Sequence, residues 1–432
     1  MTTGTAGAVE EFAAAVGVAA DSDSVLCARY AVDGIEPRVV AAPGSVEELR
    51  SAMREAHARG LAVIPFGAGR HMALGNAPPR YDVALSLARI DRIVEHEPAD
   101  LTVTVEAGCR LAALQAALAA HGQFLPLDPP AGADDVTVGG VLAVNAQGAL
   151  RHRFGTERDW LIGTDVVQAD GTLVHSGGRV VKNVAGYDMT KLYVGSLGTL
   201  GVIARATFKV APLAASETTL AVSCRSAHAA GIVLLSAHDA GLALHCGELL
   251  SPAASRRVLG DGRWTALLRV SGGQRAVERT VRDVRDFADG LQESVSERET
   301  APAWAAWGAA FAPRGLAVRA SVAPSAVPDA ADALDEALGP AGAGISATLS
   351  AGLIRIAIPE ASDVAARDAY ERAAEVACEH GGTLVVDAAP ARLKSTIDVF
   401  GPVRGDFPIM RRLKQQLDPD GSLAPGRFLG RL

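Results

Sequence analysis

Three stretches hold the residues whose type and spacing could do chemistry, and glycine dominates all three. In LAVIPFGAGRHMALG, Leu61 to Gly75, a short apolar strand runs into a loop holding Gly67 and Gly69. Successive backbone N–H groups in such a loop can form an anion-binding nest suited to a pyrophosphate. In PLDPPAGADDVTVGGVLAVNAQG, Pro126 to Gly148, a Pro-rich turn precedes a Thr–Val–Gly–Gly tight turn, a small apolar run, then Asn145 and Gly148. In VVKNVAGYDMTKLYVGSLGTLGVIARATFKVAP, Val180 to Pro212, Gly186, Gly195, Gly198 and Gly201 let the backbone turn sharply and approach a flat ligand closely. Together these stretches suit a nucleotide-like cofactor, whereas each alone is also compatible with ordinary turns around a helix. The first loop is not a Rossmann fingerprint. Gly67, Gly69 and Met72 give G-x-G-x-x-M, and Pro78 and Pro79 follow before any long helix, which argues against an NAD enzyme.

Few other side chains cluster. Lys182, Asn183, Tyr187, Asp188 and Lys191 are the polar residues of the third stretch. Tyr187 and Lys182 could face a cofactor or substrate; alternatively Asp188 staples the loop through backbone N–H groups. The cysteines, Cys27, Cys109, Cys224, Cys246 and Cys378, are scattered without a C-x-x-C pair and cannot make a clustered Fe–S site. No H-x-H or H-E-x-x-H occurs among the histidines, so no metal site is expected within the chain. Arg319, Arg355 and Arg392 are the cations of the second half that could meet an anionic substrate, with surface exposure as the default reading.

In their order and spacing the three loops resemble the FAD-binding domain of the vanillyl-alcohol oxidase / p-cresol methylhydroxylase family. The first loop of that family wraps the FAD pyrophosphate and matches Pro65, Phe66, Gly67, Ala68, Gly69, Arg70 and His71. A second block, P-x-D…T-x-G-G…N-A-x-G, lies along the pyrophosphate and isoalloxazine; it matches Leu127 to Gly148, with Pro129, Thr137, Val138, Gly139, Gly140, Asn145 and Gly148. A third, G-T-L-G-(I/V)-I, closes over the cofactor and matches Gly198, Gly201, Val202 and Ile203. V-K-N-V-A-G-Y-D with G-S-L-G-T-L-G, and the tail LKQQLDPDGSLAPGRF, look most like the FAD-binding E subunit of bacterial glycolate oxidases. The departures are informative. Ala68 replaces a usual glycine, and Arg70 stands where a covalently linked His can occur, so the resemblance implies non-covalent FAD. Leu197 stands where larger catalytic subunits carry Glu, and Ala424 stands in A-P-G-R-F where relatives often have Asn.

The elements that must position these loops follow from periodicity. Ser45 and Glu48 make a capping box for the amphipathic helix VEELRSAMREAHARG. Strands are expected at Val39 to Ala42, Leu61 to Ile64, Val83 to Leu87, Ile90 to Glu95 and Leu101 to Glu106, with a helix from Leu111 to His121. Asp170–Gly171 turns a strand pair, and VIARATFKV after Gly201 alternates as a strand. After Pro212, two rounds of β-α-β-β-α-β suggest an antiparallel sheet covered by helices on one face, with 289–303 and 338–344 as loops. The expected fold is therefore α+β: a two-lobed PCMH-type FAD-binding domain plus an antiparallel-sheet cap. The expected division is an N-terminal segment 1–34, the FAD domain 35–212, the cap 213–392, and a tail 393–432 returning to the FAD domain.

A chain of 432 residues suits two or three packed subdomains. Its formal net charge of −8 argues against a nucleic-acid or anionic-membrane partner. No basic n-region precedes Arg29 and no apolar run reaches the ~18 residues of a spanning helix, which points to a cytoplasmic protein, with peripheral attachment through partners open. The resemblance implies the FAD-binding subunit of a glycolate-oxidase-like complex that oxidises a small 2-hydroxy acid, beside a second flavoprotein subunit, and passes electrons to an Fe–S subunit. A self-sufficient flavin oxidoreductase of an unknown alcohol and a non-catalytic FAD-holding subunit are the alternatives. The metal-binding histidines and the G-E-H-G type segment of relatives that oxidise D-2-hydroxy acids are not visible, so the chain alone is expected to be a poor enzyme.

Overall fold

The computed structural model describes residues 2–132, 134–178 and 187–432; Lys182, Asn183 and Gly186 of the third glycine-rich stretch lie outside these. The first lobe is a four-stranded sheet in the order Ala20–Asp21, Val39–Ala41, Val83–Ser86, Val63–Phe66. Its last three strands are parallel and apolar, as strands covered on both faces must be. The helix Val46–Ala58 packs on it, started by the Ser45 hydroxyl accepting from the Glu48 N–H at 3.1 Å. Glu48 reaches back one residue further than a capping box requires, to the Gly44 N–H at 2.8 Å. The second lobe is a five-stranded antiparallel sheet in the order Ile93–Glu97, Thr102–Glu106, Val202–Lys209, Leu161–Val167, Leu173–Gly177. The expected alternation after Gly201 is present, with one side of Val202–Lys209 buried and the other half-exposed. The Asp170–Gly171 turn joins the last two strands, Gly171 taking the positive φ of 82° that such a turn needs. Val9 and Phe12 of the helix Thr2–Val16 are buried in the core the lobes share, so the N-terminal segment packs as part of this domain.

The cap is an eight-stranded antiparallel sheet. From one end its strands run Ser294–Arg298, Ser216–Cys224, Trp264–Gly272, Leu244–Leu250, and from the other Thr383–Ala388, Leu316–Ser321, Leu353–Ile358, Gly344–Thr348. In chain order each half reads 4-1-3-2, the arrangement of a split β-α-β unit, and the halves join edge to edge through Leu249 and Ala347. The helices Ala227–Asp239, Gln274–Gly290, Val327–Leu338 and Asp363–Glu379 bury one face. The other face turns toward the FAD domain and packs on Ala149, Leu150 and the helices Pro252–Leu259 and Thr300–Ala310. Residues 289–303 are thus not a loop: they include the edge strand and the start of the helix Thr300–Ala310. That strand, SVSER, escapes pattern reading because an edge strand is kept polar on most of its positions.

Beyond the cap the chain returns to the first lobe. The Val63 N–H donates to the Ser422 carbonyl at 2.8 Å, and the Ala424 N–H to the Val63 carbonyl at 2.8 Å. The tail is thereby tied to the strand that launches the first glycine loop.

Candidate functional site

Two adjoining cavities, of about 520 and 450 Å³, run between the two lobes of the FAD domain. Pro65 to His71 form one wall. The N–H groups of Gly67, Ala68, Gly69, Arg70 and His71 make no hydrogen bond within the described protein, whereas those of Met72 and Leu74 turn back onto the carbonyls of Gly69 and His71. Consecutive unengaged donors in a glycine loop are what a diphosphate needs. Thr137, Gly139 and Gly140 supply the facing wall. They are not a tight turn: Thr137 caps a short helix, Val138–Val144, its hydroxyl accepting from the Gly140 N–H. Gly198, Gly201, Val202 and Ile203 close the far end with Leu87 and Ala107.

The glycines keep the walls close to one another. A Cβ on Gly67 would lie 2.2 Å from the Thr137 hydroxyl, and one on Gly139 2.7 Å from the Ala107 Cβ. Leu197 sits against the cleft with φ 55°, a conformation bulky residues rarely adopt and one found preferentially where structure is held for function.

Four expected residues stand behind the wall. Val138 is wholly buried in the core. Pro129 does not line the cavities; its neighbour Pro130 does, on the cap side. Asn145 ends the short helix in the left-handed conformation, its Oδ1 accepting from Gln147 Nε2 at 3.0 Å. Gly148 is packed so tightly that a Cβ would lie 1.9 Å from the Asp128 carbonyl oxygen. Tyr187 is 92% exposed and does not line the cleft, and Asp188 pairs with Lys191 at 3.5 Å.

A third cavity, of about 550 Å³, continues the cleft under the cap. His71 and Val144 belong to both and mark the junction. Leu74, Pro130, Phe311, Pro313 and Ile356 make most of its surface apolar. Its polar groups are Gln147 from the FAD domain and Arg319, Arg355 and Asp387 from the cap. Arg319 and Arg355 are register partners on neighbouring strands, so two like charges stand directly opposite on one face. Such a pair is destabilising unless an anion or buried acid compensates it.

The two arginines are differently engaged. Arg355 is buried; its Nη2 donates to the carbonyls of Gln147 at 2.7 Å and Gly148 at 3.4 Å, and its Nη1 to the Thr348 hydroxyl at 3.3 Å. Its guanidinium lies 5.3 Å from the Trp307 ring centroid. Glu248, fully buried, accepts from Ser346 and Thr348 at 2.5 Å each and faces this arginine; burial holds its carboxyl above the usual range against the pull of Arg355. Arg319 has only Asp387, with Nε at 2.8 Å from Oδ1, and makes no other hydrogen bond among the described residues. Its charge bears on His71, whose ring makes no hydrogen bond there. Burial first, and Arg319 second, lower the His71 pKa to about 4, so the imidazole is neutral at pH 7.

Buried acids stand behind Gln147. Asp128 accepts from the N–H groups of Gly148 and Leu150 at 3.1 and 2.8 Å, and burial raises its pKa to about 7. Glu157 accepts from Gln147 Nε2 at 2.7 Å, its other oxygen has no partner, and burial raises it to about 8. Asp387, Gln147 and Phe311 are site residues that the sequence reading did not select; Arg319 and Arg355, read there as cations with surface exposure as the default, line the cavity, and Leu197 and Arg427 stand in motifs that gave them no cofactor role. One signal was available: in LIRIAI a lone arginine interrupts an otherwise apolar strand, which requires a buried partner or a ligand.

Residues 37–177 match the family described as FAD binding domain. Over 174 residues the chain is 36% identical to the D-2-hydroxyglutarate dehydrogenase of Xanthomonas citri pv. viticola, covering 40% of this chain and 37% of that protein. It is 41% identical over 120 residues to glycolate oxidase subunit GlcE of Escherichia coli, covering 28% of this chain and 34% of that subunit. These matches span little more than a third of the relatives' own length. The structure of p-cresol methylhydroxylase with substrate bound superposes with a TM-score of 0.77 at 16% identity, over 99% of this chain and 97% of that one. The fold is thus that of the PCMH-type flavoproteins, and residues 37–177 are an FAD-binding domain. FAD is the cofactor for which the cleft is built: its free N–H groups, glycine-lined walls and apolar far end fit a dinucleotide.

Proposed function

We propose that the chain oxidises a small 2-hydroxy monocarboxylate, of the size of glycolate or D-lactate, with non-covalent FAD, as a subunit of a glycolate-oxidase-like complex. The observation that carries this reading is the cross-strand pair Arg319 and Arg355 set beside neutral His71 where the cap cavity meets the cofactor cleft. Arg319, oriented by Asp387, holds the substrate carboxylate. His71 takes the hydroxyl proton; FAD, which the glycine loop Gly67 to His71 would hold, would supply the acceptor for the hydride from the same carbon. A carboxylate on Arg319 offsets one of the two causes that depress the His71 pKa, so the base strengthens when substrate binds. Phe311, Pro313 and Leu74 exclude water and leave room for a short aliphatic tail.

The cation pair favours a substrate site within this chain, against the expectation that the chain alone is a poor enzyme. It does not supply an exit for electrons. The cysteines are far apart in sequence and four of the five are buried, so an Fe–S subunit remains the proposed acceptor, with a second flavoprotein subunit in the assembly. No described helix is long and apolar enough to cross a membrane. The test is anaerobic mixing of the FAD-loaded chain with glycolate or D-lactate. Flavin absorbance should bleach stoichiometrically, and no bleaching with either acid would overturn the reading. Acid precipitation should release the FAD into the supernatant; yellow colour staying in the pellet would contradict non-covalent binding.

A further inference from the structure

The A-P-G-R-F tail ends beside the first glycine loop, and its arginine holds that loop. Arg427 is 3% exposed and lines the cofactor cleft with Gly67, Gly69 and Arg70. Its Nη2 donates to the carbonyls of Met72, at 2.9 Å, and Leu74, and its Nη1 to that of Asn76 at 3.4 Å. The Asn76 N–H returns a bond to the Arg427 carbonyl at 2.9 Å. The two segments approach so closely that a Cβ on Gly75, φ 98°, would lie 2.9 Å from that carbonyl oxygen. A second buried cation closes the arrangement. Lys394 is wholly buried and donates to the Ala73 carbonyl at 2.9 Å and to both Asp33 oxygens at 2.6 and 2.5 Å. Asp33 also lies 3.5 Å from Arg427 Nη1.

The charge count is uneven. Two buried cations share one buried carboxylate; the other acid that bears on Arg427 is the Tyr81 phenol, which burial keeps protonated. An uncompensated positive charge away from water is costly unless an anion approaches it. The unengaged N–H groups of Gly67 to His71 lie in the same cavity.

We propose that Asp33, Lys394 and Arg427 form a latch, drawn from the N-terminal segment and from the beginning and end of the tail, that sets the first glycine loop for the diphosphate of FAD and governs cofactor affinity. All three are positioning residues: they act through the carbonyls of residues 72–76 and through their shared charge. The proposal rests on the cleft taking FAD but not on the choice of substrate, since its test contains none.

The full-length chain, stripped of flavin, is titrated with FAD, ADP and riboflavin. Arg427→Met is expected to weaken FAD and ADP at least tenfold and to leave riboflavin, which lacks the diphosphate, within twofold. Asp33→Asn should weaken FAD about tenfold, and Asp33→Glu should recover most of that loss. Should Arg427→Met not fold, Arg427→Lys, which keeps the charge and loses the fork over the three carbonyls, is expected to weaken FAD several-fold. Unchanged FAD affinity in Asp33→Asn and in the folded Arg427 variant would overturn the latch. Equal losses of FAD and riboflavin would overturn it too, because they would show a general collapse of the cleft. Failure of glycolate or D-lactate to bleach the flavin would leave these titrations untouched.

Discussion

The two halves of the site are made of different material. The FAD-domain half is backbone: unengaged N–H groups in a glycine loop, and walls whose side chains are absent so that they can close on each other. The cap half is side chains: Arg319, Arg355 and Asp387, carried by three neighbouring strands of one sheet. A backbone site constrains residue type at consecutive positions, whereas a side-chain site needs a few isolated residues brought together by strand register. Within the cap half the same contrast recurs between two arginines. Arg355 is spent on the carbonyls of Gln147 and Gly148, so it joins cap to cofactor domain; Arg319 keeps its outer nitrogens for a ligand.

Exchanging each arginine for methionine separates these roles. Arg355→Met leaves Glu248 buried without its cation and frees two carbonyls. A loss of about 3–5 kcal/mol of stability is expected, seen as a lower melting temperature, with FAD retained less firmly. Arg319→Met should melt within ~1 kcal/mol of the parent but lose about 2–4 kcal/mol of transition-state binding, roughly 30- to 1,000-fold in kcat/KM for glycolate or D-lactate. Calorimetry and anaerobic flavin reduction on both variants decide it. If the two variants exchanged effects, the distinction between a structural and a ligand-binding arginine would be gone.

The same contrast explains what was legible in the sequence. Gly67, Gly69, Gly139, Gly140, Gly198 and Gly201 stand in short runs, and the structure sets all of them against the cleft. The cap's repeated β-α-β-β-α-β pattern was readable because its buried strands and amphipathic helices repeat their periods. Arg319 and Arg355 were not readable as a pair, because only the pairing of Leu316–Ser321 with Leu353–Ile358 makes them neighbours. Gly148 belongs to a motif yet packs on Asp128, so a glycine can be required by the protein's own backbone rather than by a ligand. Thr137 reads equally as a turn residue and as a helix cap, and sequence could not separate the two.

A smaller effect probes the acids behind the FAD-domain wall. Glu157 ionises near 4 in an unfolded chain and at about 8 in the folded one, because burial penalises its charge. Between those values the native state holds a proton that the unfolded state has released. Its contribution to stability therefore falls as pH rises from about 4 to 8 and is fully unfavourable above that. Glu157→Gln keeps an acceptor for Gln147 Nε2 and cannot ionise. The variant should melt close to the parent at pH 5 and be more stable by ~1–2 kcal/mol at pH 8.5. An equal difference at both pH values would mean that packing, not charge, separates them.

The smallest effect is expected at the third cap arginine. Arg392 lies on the short helix Ala391–Lys394; its side chain is 89% exposed and its Nε is 3.6 Å from an Asp363 oxygen, outside every cavity of the site. An exposed ion pair of that length contributes about 0–1 kcal/mol. Arg392→Ala should therefore melt within ~0.5 kcal/mol of the parent and reduce FAD at the parent's rate with either acid. Residue type is the same in all three arginines; what differs is burial, the number of carbonyls held and the neighbouring strand. A tenfold loss of flavin reduction in Arg392→Ala would show that location in the cap cavity does not distinguish the residues that handle substrate, and the assignment of Arg319 would lose its basis.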